Sequence, residues 1–509
     1  MESTMQTTIF MSHHQNNYNQ MAKHLMILGT ASHVGKSVLA AAFCHIFSKT
    51  APTAPFKAQN MSLNSWITKD GGEIGIAQAI QAWAAGIEPT VDMNPVLLKP
   101  KGDRLSQVII LGRPAYDRAA GDYYESIEEV SGIVDGALAR LGEIYDLIVI
   151  EGAGGAAEIN LYERDIVNIG CARSIKPEII LVGDIERGGV FASLYGTIEL
   201  LPDDIRALVR GFIINKFRGD YEILKPGVLQ LEEITGLPVF GVVPYADIAI
   251  PSEDSVSIAD KKPRKRPIDI AVIRLPRISN FTDFEPLEAF ANVRYLPLYS
   301  DLGNPDLIII PGTKNTTADL VEMREHGMDK RIIDMAKMRS VPVIGICGGY
   351  QMLGRTIIDR GFEGSVAEIS GMGLLDVETT FERYEKQTRQ VTKQVTAGGP
   401  IIGGIRGEAV SGYEIHTGDT VSCRPVFGDD GCIDESGLVF GTYLHGLFEN
   451  GNVRSALLGY LYRKKGIPVE GASFEIVGRE EGIRKFAELV EKYVDVPAIR
   501  DLVGAVPRR

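Results

Sequence analysis

The chain contains few cysteines, and their arrangement suggests no structural role. Five occur among 509 residues, which is an odd number, and no two form a Cys-x-x-Cys pair. This pattern argues against a disulfide framework and against a structural zinc site. We interpret four of the cysteines as small core residues: Cys44, Cys171, Cys423 and Cys432.

Long apolar runs and excess positive charge are also lacking. No run reaches the roughly 18 residues that a membrane span needs, and residues 1–20 are polar, without the apolar segment of a secretory signal. We expect residues 1–20 to be disordered and the protein to be cytoplasmic, with no membrane insertion. The net charge of −13 disfavours a nucleic-acid partner, because such binding uses basic surface to neutralise phosphates.

The length of the chain indicates more than one domain, because 509 residues exceed what a single core usually serves. A basic run, Lys261-Lys-Pro-Arg-Lys-Arg-Pro267, separates two α/β-like patterns. Its two prolines favour a solvated linker over a nucleic-acid patch. We therefore expect an N-terminal domain over 21–260, a linker over 261–267, a second domain over 268–452 and a helical segment over 453–509.

The first domain begins with the pattern of a phosphate-binding loop. An apolar strand at 23–28 leads into Gly29-Thr-Ala-Ser-His-Val-Gly-Lys-Ser37 and then into a helix. Backbone N–H groups at such a turn bind anions, Lys36 can reach β/γ-phosphates, and the Ser37 hydroxyl can bind Mg²⁺. A glycine-rich turn without a nucleotide is the alternative.

Three further strands of this domain end in polar residues. Leu147–Ile150 is followed by Glu151-Gly-Ala-Gly-Gly155, a carboxylate and glycines that suit Mg²⁺ and phosphate, although a plain turn is the alternative. Asp184 and Arg187 follow a second strand, and Asn215 follows a third. Strands that alternate with helices predict a doubly wound parallel sheet with its site at the carboxyl ends of the strands.

The second domain carries a candidate nucleophile. The apolar run from Val343 stops at Cys347, between small residues, and then becomes helical, as in a nucleophile elbow. A small buried cysteine is the alternative. His445 ends another apolar run and could activate the thiol, while Gly312 and Gly348 could supply oxyanion-hole N–H groups. Residues 379–396 alternate polar with apolar residues and carry no site signal, so we expect an added hairpin or loop there.

Two groups of motifs resemble known families. Gly-Ile-Cys347-Gly-Gly-Tyr-Gln-Met-Leu-Gly and Tyr-Leu-His445-Gly-Leu-Phe resemble the triad-type (class I) glutamine amidotransferases, which implies that Cys347 attacks the glutamine amide and His445 transfers protons. That family usually has a Glu two positions after the His, where this chain has Leu447. The branch that acts on corrinoids lacks this acid, and the sequence identifies no third member.

The loop at 29–37 and the Glu151 run resemble the dethiobiotin synthetase group of P-loop ligases. This resemblance implies that ATP and Mg²⁺ bind here, with the metal on Ser37 and Glu151 and with Asn215 contacting adenine. The residues implied in ATP binding are Gly29, Thr30, Val34, Gly35, Lys36, Ser37 and Asn215.

Runs between the motifs, including Phe56-Lys-Ala-Gln-Asn-Met-Ser-Leu-Asn-Ser65 and Arg274-Leu-Pro-Arg-Ile-Ser-Asn-Phe-Thr-Asp283, resemble the cobyric acid synthase family from Met21 to about Lys465. The resemblance implies amidation of four peripheral carboxylates of a corrinoid, with glutamine and ATP. We expect an open cleft for so large a substrate, and we assign to substrate, from the same runs, Lys57, Asn60, Asn64 and Arg187.

Two alternatives to this interpretation stay open. The nearer is a cobyrinic acid a,c-diamide synthase, which uses the same chemistry on other side chains of the ring. The farther is a P-loop switch protein that hydrolyses ATP to change partners and carries a degenerate amidotransferase domain. An intact Cys347 and His445 argue against degeneration.

Overall fold

A computed structural model describes residues 22–504, except for 103–104, 120–126, 247–263, 364–365, 383–385, 423, 470, 472 and 477. The expected N-terminal tail, the boundary at 260 and residues 261–263 of the expected linker lie outside the described residues. Among the described residues, none of the helices combines the length and the apolar character that a membrane crossing requires.

The first domain is built on a six-stranded sheet whose paired strands all run parallel. The spatial order is β12-β11-β10-β1-β9-β2, with bounds β1 Lys23–Gly29, β2 Thr53–Phe56, β9 Leu147–Glu151, β10 Glu178–Asp184, β11 Val209–Phe217 and β12 Val239–Pro244. These strands are almost continuously apolar, as expected for a parallel sheet that is covered on both faces. Since β1 lies at the centre, the loop that follows it reaches the middle of the carboxyl edge.

Helices and two small sheets surround this core. The helices are α1 Lys36–Ser48, α2 Ile76–Ala84, α3 Ile127–Ile144, α4 Ile169–Ile175, α5 Val190–Leu200, α6 Asp203–Arg206 and α7 Tyr221–Thr235. One small sheet has the order β3-β6-β7-β8, and the other pairs β4 with β5. Their bounds are β3 Gln59–Met61, β4 Ser65–Ile67, β5 Glu73–Gly75, β6 Val96–Gly102, β7 Leu105–Ile110 and β8 Arg113–Ala119. Both small sheets contact the second domain, since the backbone N–H of Ser65 on β4 donates to Asn280 and Gln107 on β7 accepts from Lys314.

The second domain contains another largely parallel sheet, ordered β15-β13-β16-β18-β26-β25, in which only the edge strand β25 is antiparallel. The bounds are β13 Asp269–Arg274, β15 Asn292–Pro297, β16 Leu307–Ile310, β18 Val343–Ile346, β25 Cys432–Ile433 and β26 Val439–Thr442. The helices of this domain are α8 Glu285–Glu288, α9 Thr316–Glu325, α10 Met328–Arg339, α11 Gly348–Leu353 and α12 Gly451–Lys464. The α/β fold class expected for both halves is thus confirmed.

Shorter strands of the second domain form three additional sheets: β14 with β17, the sheet β20-β19-β21-β24, and the sheet β22-β23-β27. The bounds are β14 Ile278–Ser279, β17 Gly312–Thr313, β19 Thr356–Asp359, β20 Ala367–Ser370, β21 Val377–Phe381, β22 Gln387–Gln394, β23 Ala409–His416, β24 Asp419–Ser422 and β27 Leu444–His445. The segment expected as one added hairpin or loop, 379–396, therefore contributes strands to two different sheets.

The C-terminal segment is divided between the domains. Helix α12 packs in the core of the second domain through Val453, Leu457 and Leu461. The last two helices, α13 Arg479–Tyr493 and α14 Val496–Val503, return to the first domain, where Phe486 joins the same buried cluster as Phe43 of α1. The chain thus completes the hydrophobic core of its first domain with its final described residues.

Candidate active sites

Cys347 stands at a strained corner between β18 and α11. Its backbone has φ 51° and ψ −109°, a conformation that costs energy for a residue with a side chain. The corner is tight, because a Cβ on Gly349 would lie 2.0 Å from the carbonyl oxygen of Ile310. The thiol side chain is 7% exposed and reaches a pocket. A strained cysteine at the corner between a strand and a helix is the geometry of a nucleophile elbow.

His445 lies opposite, on β27, and is held by an acid that the sequence analysis did not identify. Its Nδ1 is 2.7 Å from Oδ2 of Asp283, whose Oδ1 accepts a hydrogen bond of 3.0 Å from the backbone N–H of Gly446. Asp283 belongs to a short 3-10 turn, Phe281–Phe284, 162 positions before the histidine. The position at which the family usually carries its acid is Leu447 in this chain, and that residue is buried and apolar. Asp283 thus occupies the place of a third residue in the set formed with Cys347 and His445.

The charge of Asp283 sets the protonation of the histidine. Burial alone lowers the pKa of His445, but the Asp283 carboxylate and a hydrogen bond with Cys347 raise that pKa to about 10. The ring also stacks on Tyr413, with centroids 5.3 Å apart. Because the thiolate is the attacking form of cysteine, a histidine that readily holds a proton beside Cys347 suits nucleophilic attack.

The two glycines assigned to the oxyanion lie on either side of this pair. A Cβ on Gly312 would come 3.2 Å from Cε1 of His445, so this backbone passes directly beside the imidazole. Gly348 follows the cysteine and opens α11, close to Thr313 and Thr316. Their role in an oxyanion hole stays a prediction.

The second candidate site lies at the carboxyl edge of the first sheet. Lys36 is buried and donates hydrogen bonds to the carbonyl oxygens of Ala31 (3.0 Å) and Gly154 (2.7 Å), so its ammonium lies between the loop and the turn after β9. Ser37 donates to Oε1 of Glu151 at 2.7 Å, and Lys57 forms a buried ion pair with the same oxygen at 2.9 Å. Two of the predicted residues, Ser37 and Lys57, therefore converge on the carboxylate of a third, Glu151.

These residues fit a Mg²⁺ ion. Ser37 and Glu151 offer the hard oxygen donors that this cation prefers. Gln81 donates from Nε2 to Oε2 of Glu151 at 2.6 Å, while its Oε1 is buried and has no hydrogen-bond partner in the described part of the chain. An unsatisfied buried oxygen beside a carboxylate is a place for a cation or its water. The sequence analysis missed Gln81, which carries no local motif.

Asn215 and the glycines shape the loop itself. Asn215 donates from Nδ2 to the carbonyl oxygen of Val34 at 2.9 Å, and Gly35 adopts φ 102° so close to it that a Cβ would lie 2.1 Å from that nitrogen. The backbone N–H of Thr30 bonds to Val182 on the neighbouring strand at 3.0 Å, and a Cβ on Gly29 would meet Val34. Adenine contact by Asn215 stays a prediction, since the described contact is to the loop.

Comparison with known proteins gives one consistent result. The family model of the CobQ/CobB/MinD/ParA nucleotide binding domain matches residues 25–257, and that of the CobB/CobQ-like glutamine amidotransferase domain matches residues 269–453. A protein of Methanococcoides burtonii named probable cobyric acid synthase is 62% identical over 498 residues, which cover 97% of this chain and 99% of that protein. The chain belongs to the cobyric acid synthase family.

Further members of the cobyric acid synthase family show similar agreement. The protein of that name from Methanosarcina mazei is 62% identical over 485 residues, with 95% of this chain and 99% of that protein covered. The one from Methanocella arvoryzae is 57% identical over 490 residues, with the same shares covered. The resemblance inferred from short runs thus extends over nearly the whole chain.

Two residues that we assigned to the substrate of a cobyric acid synthase are placed differently. Asn60 and Asn64 are 3% and 1% exposed, so neither lines an open cleft as expected. Asn60 donates to Gln78 at 2.9 Å, and Asn64 accepts from the backbone N–H of Phe281, across the domain interface, at 3.0 Å. Their polarity is satisfied internally. Arg187 is exposed in the loop after β10, and its assignment stays a prediction.

The same interface touches the histidine site. Asn280 accepts a hydrogen bond of 2.9 Å from the backbone N–H of Ser65 in the first domain, and its Nδ2 lies 3.4 Å from the ring nitrogens of His445. The Asn280-Phe-Thr-Asp run was used above only as a mark of resemblance. The first and last residues of this run both contact the histidine. The run itself is therefore the sequence feature that could have identified Asp283.

Replacing Asp283 by asparagine is expected to lower the rate of glutamine-dependent amidation by about 10²- to 10⁴-fold, because the imidazole loses the charge that orients and protonates it. Without the Asp283 carboxylate the pKa of His445 falls. The limb of the pH–rate profile that reports this histidine should therefore shift to lower pH. Kinetics with glutamine and with ammonium salts over pH 6–10 would check this. A variant that loses both activities equally would contradict the assignment.

Proposed function

We propose that this chain is a glutamine-hydrolysing, ATP-dependent ligase that amidates the b, d, e and g carboxylates of adenosylcobyrinic acid a,c-diamide and yields adenosylcobyric acid in cobalamin biosynthesis. The observation that carries the proposal is the pairing, in one chain of this family, of the Cys347–His445–Asp283 arrangement with a phosphate loop that meets Glu151. One site suits release of ammonia and the other suits activation of a carboxylate.

At the first site, Cys347 attacks the side-chain amide of glutamine and forms a thioester, and the nitrogen leaves as ammonia after it takes a proton from His445. Water then hydrolyses the thioester, which releases glutamate and restores the thiol. Asp283 keeps Nδ1 of His445 occupied, so that Nε2 faces the reacting atoms. N–H groups of Gly312 and Gly348 are proposed to hold the oxyanion.

At the second site, a substrate carboxylate takes the γ-phosphoryl group of ATP, and ADP leaves. Lys36 and the loop N–H groups bind the phosphates, while Ser37 and Glu151 would hold Mg²⁺, which neutralises charge on the β- and γ-oxygens. Ammonia then displaces phosphate from the acyl phosphate and forms the amide. Lys57, which pairs with Glu151 at 2.9 Å, is proposed to position the substrate or a phosphate.

Mass spectrometry of corrinoid products tests the proposal. After incubation of the a,c-diamide with ATP, Mg²⁺ and glutamine, we expect four successive mass changes, each of one carboxylate converted to an amide, with partly amidated species present early. No product from the a,c-diamide, but two amidations of cobyrinic acid, would instead identify a cobyrinic acid a,c-diamide synthase. ATP hydrolysis without any amidation would support the switch-protein alternative.

A further inference from the structure

The imidazole of His445 is contacted by two side chains that the reaction described above does not use. Nδ2 of Asn280 lies 3.4 Å from both ring nitrogens. The ring of Tyr413 stacks on the imidazole, with centroids 5.3 Å apart and an interplanar angle of 18°, and the two residues are paired across β23 and β27. Both of these neighbours are held in turn by residues of the first domain.

Asn280 is attached to the first domain by its backbone and by its side chain. Its backbone N–H donates to the carbonyl oxygen of Leu63 at 3.3 Å, and its Oδ1 accepts from the backbone N–H of Ser65 at 2.9 Å. The backbone is left-handed, with φ 49° and ψ 39°, a conformation that asparagine adopts more readily than most residues with a side chain. Because Ser65 engages the carboxamide oxygen, the amide nitrogen is the end that meets His445. The first domain thus fixes the orientation of this amide.

Tyr413 is supported by Trp66, the next residue of β4. The two rings pack edge to face, with centroids 5.0 Å apart and an interplanar angle of 62°. Ile67 and Ile415 complete a small hydrophobic cluster that joins β4 to β23. Two consecutive residues of one strand in the first domain therefore support both neighbours of His445.

We propose that Asn280 and Tyr413 are positioning residues for His445. Strand β4 of the first domain, through the N–H group of Ser65 and the ring of Trp66, holds them in place across the domain interface. The inference rests on the proposed function, because it assumes that the histidine transfers protons in glutamine hydrolysis. An amide nitrogen can only donate, so it favours the neutral, proton-accepting form of the ring beside it.

Two substitutions at Asn280 separate its contacts. Asn280→Gly suits the left-handed backbone and removes the carboxamide, so kcat for glutamate release should fall by about 10- to 100-fold while KM changes little. Asn280→Asp keeps an oxygen for the N–H of Ser65 but places a carboxylate beside the imidazole, which Asp283, Cys347 and Tyr413 already face. A second carboxylate favours the protonated ring, so the limb of the pH–rate profile that reports the histidine should shift to higher pH. This shift is opposite to the one expected for Asp283→Asn.

Substitutions at Trp66 test the support from the first domain. Trp66→Ala removes the ring beside Tyr413 and should lower kcat for glutamine hydrolysis by a similar factor, whereas Trp66→Phe keeps an aromatic ring there and should recover most of the rate. Trp66 also packs against Trp83 of α2, the helix whose Gln81 donates to Glu151. Amidation from ammonium salts is therefore measured in parallel, and it should stay close to the wild-type rate in every variant.

Ser340→Gly is the matched control for Asn280→Gly. Ser340 also has a left-handed backbone in the second domain, with φ 52°, but it is exposed and directly follows α10. Glutamine hydrolysis by this variant should equal that of the wild type, which separates the effect of a glycine at a left-handed position from the loss of the carboxamide.

An unchanged kcat for glutamine hydrolysis in Asn280→Gly or Trp66→Ala would overturn the proposal, as would a loss in Trp66→Phe as large as in Trp66→Ala. A histidine limb in Asn280→Asp that stays in place or moves to lower pH would do the same. Equal loss of ammonium-driven amidation would assign these residues to the contact between domains alone. If instead the wild type hydrolyses no glutamine at all, the proposed function itself fails, so the two failures are distinguishable.

Discussion

Replacing Cys347 by serine is expected to abolish glutamine-dependent amidation and to leave amidation from added ammonium salts. The thiol acts only in the release of ammonia, and loss of such a nucleophile lowers the rate by roughly 10³-fold or more. Because serine is close in size to cysteine, the strained corner at φ 51° should persist. Corrinoid amide formation with each nitrogen source, followed by mass spectrometry, measures the effect.

Cys432→Ser is the matched control, since Cys432 is also buried in the second domain, on the edge strand β25. It should retain both activities. Equal loss with glutamine and with ammonium in Cys347→Ser would contradict the assignment of Cys347 and point to a structural role for this residue.

Replacing Lys36 by alanine, or Glu151 by glutamine, is expected to have the opposite effect: amidation from either nitrogen source falls by about 10²-fold or more, while some glutamine hydrolysis continues. Glutamine preserves the shape of Glu151 and can still accept from Ser37 or Gln81 through its one oxygen, so the fold is disturbed less than by alanine. Parallel assays of amide formation and glutamate release separate the two sites.

The control for Lys36 is Lys49→Ala, at the other end of the same helix, where the side chain is exposed and pairs only at the surface with Glu491. It should retain amidation. A Lys36 variant that amidates with ammonium at near the wild-type rate would place the synthetase site elsewhere.

The sequence predicted the parts of both sites that depend on a local turn. The loop at 29–37, Glu151 at the end of β9 and Cys347 after β18 are each marked by an apolar run that leads into small residues, because the connection that follows a single strand creates the geometry. The α/β fold of both halves followed from the same alternation of strands and helices. Each of these features can be recognised from a single stretch of sequence, without knowledge of residues far away in the chain.

Other parts depend on pairing between distant segments, which leaves no periodic signal. Asp283 reaches His445 from 162 positions away, and Lys386 meets Glu73 across 313 positions. The run that contains Asn60 and Asn64 suggested a substrate surface, whereas both residues are buried and hydrogen-bond to protein groups, and a contact with substrate stays a prediction. Only the packed domains show which polar residues contact each other.

The return of α13 and α14 to the first domain has a consequence for how the protein is made. The domain that leaves the ribosome first lacks part of its core until the last helices follow, because Phe486 and Val490 belong to the same buried cluster as Phe43. At about 5–20 residues per second, translation of the intervening second domain takes on the order of 10 to 50 s. During that time α1 presents an apolar surface to solvent, so the first domain can complete its core only after α13 and α14 have been made.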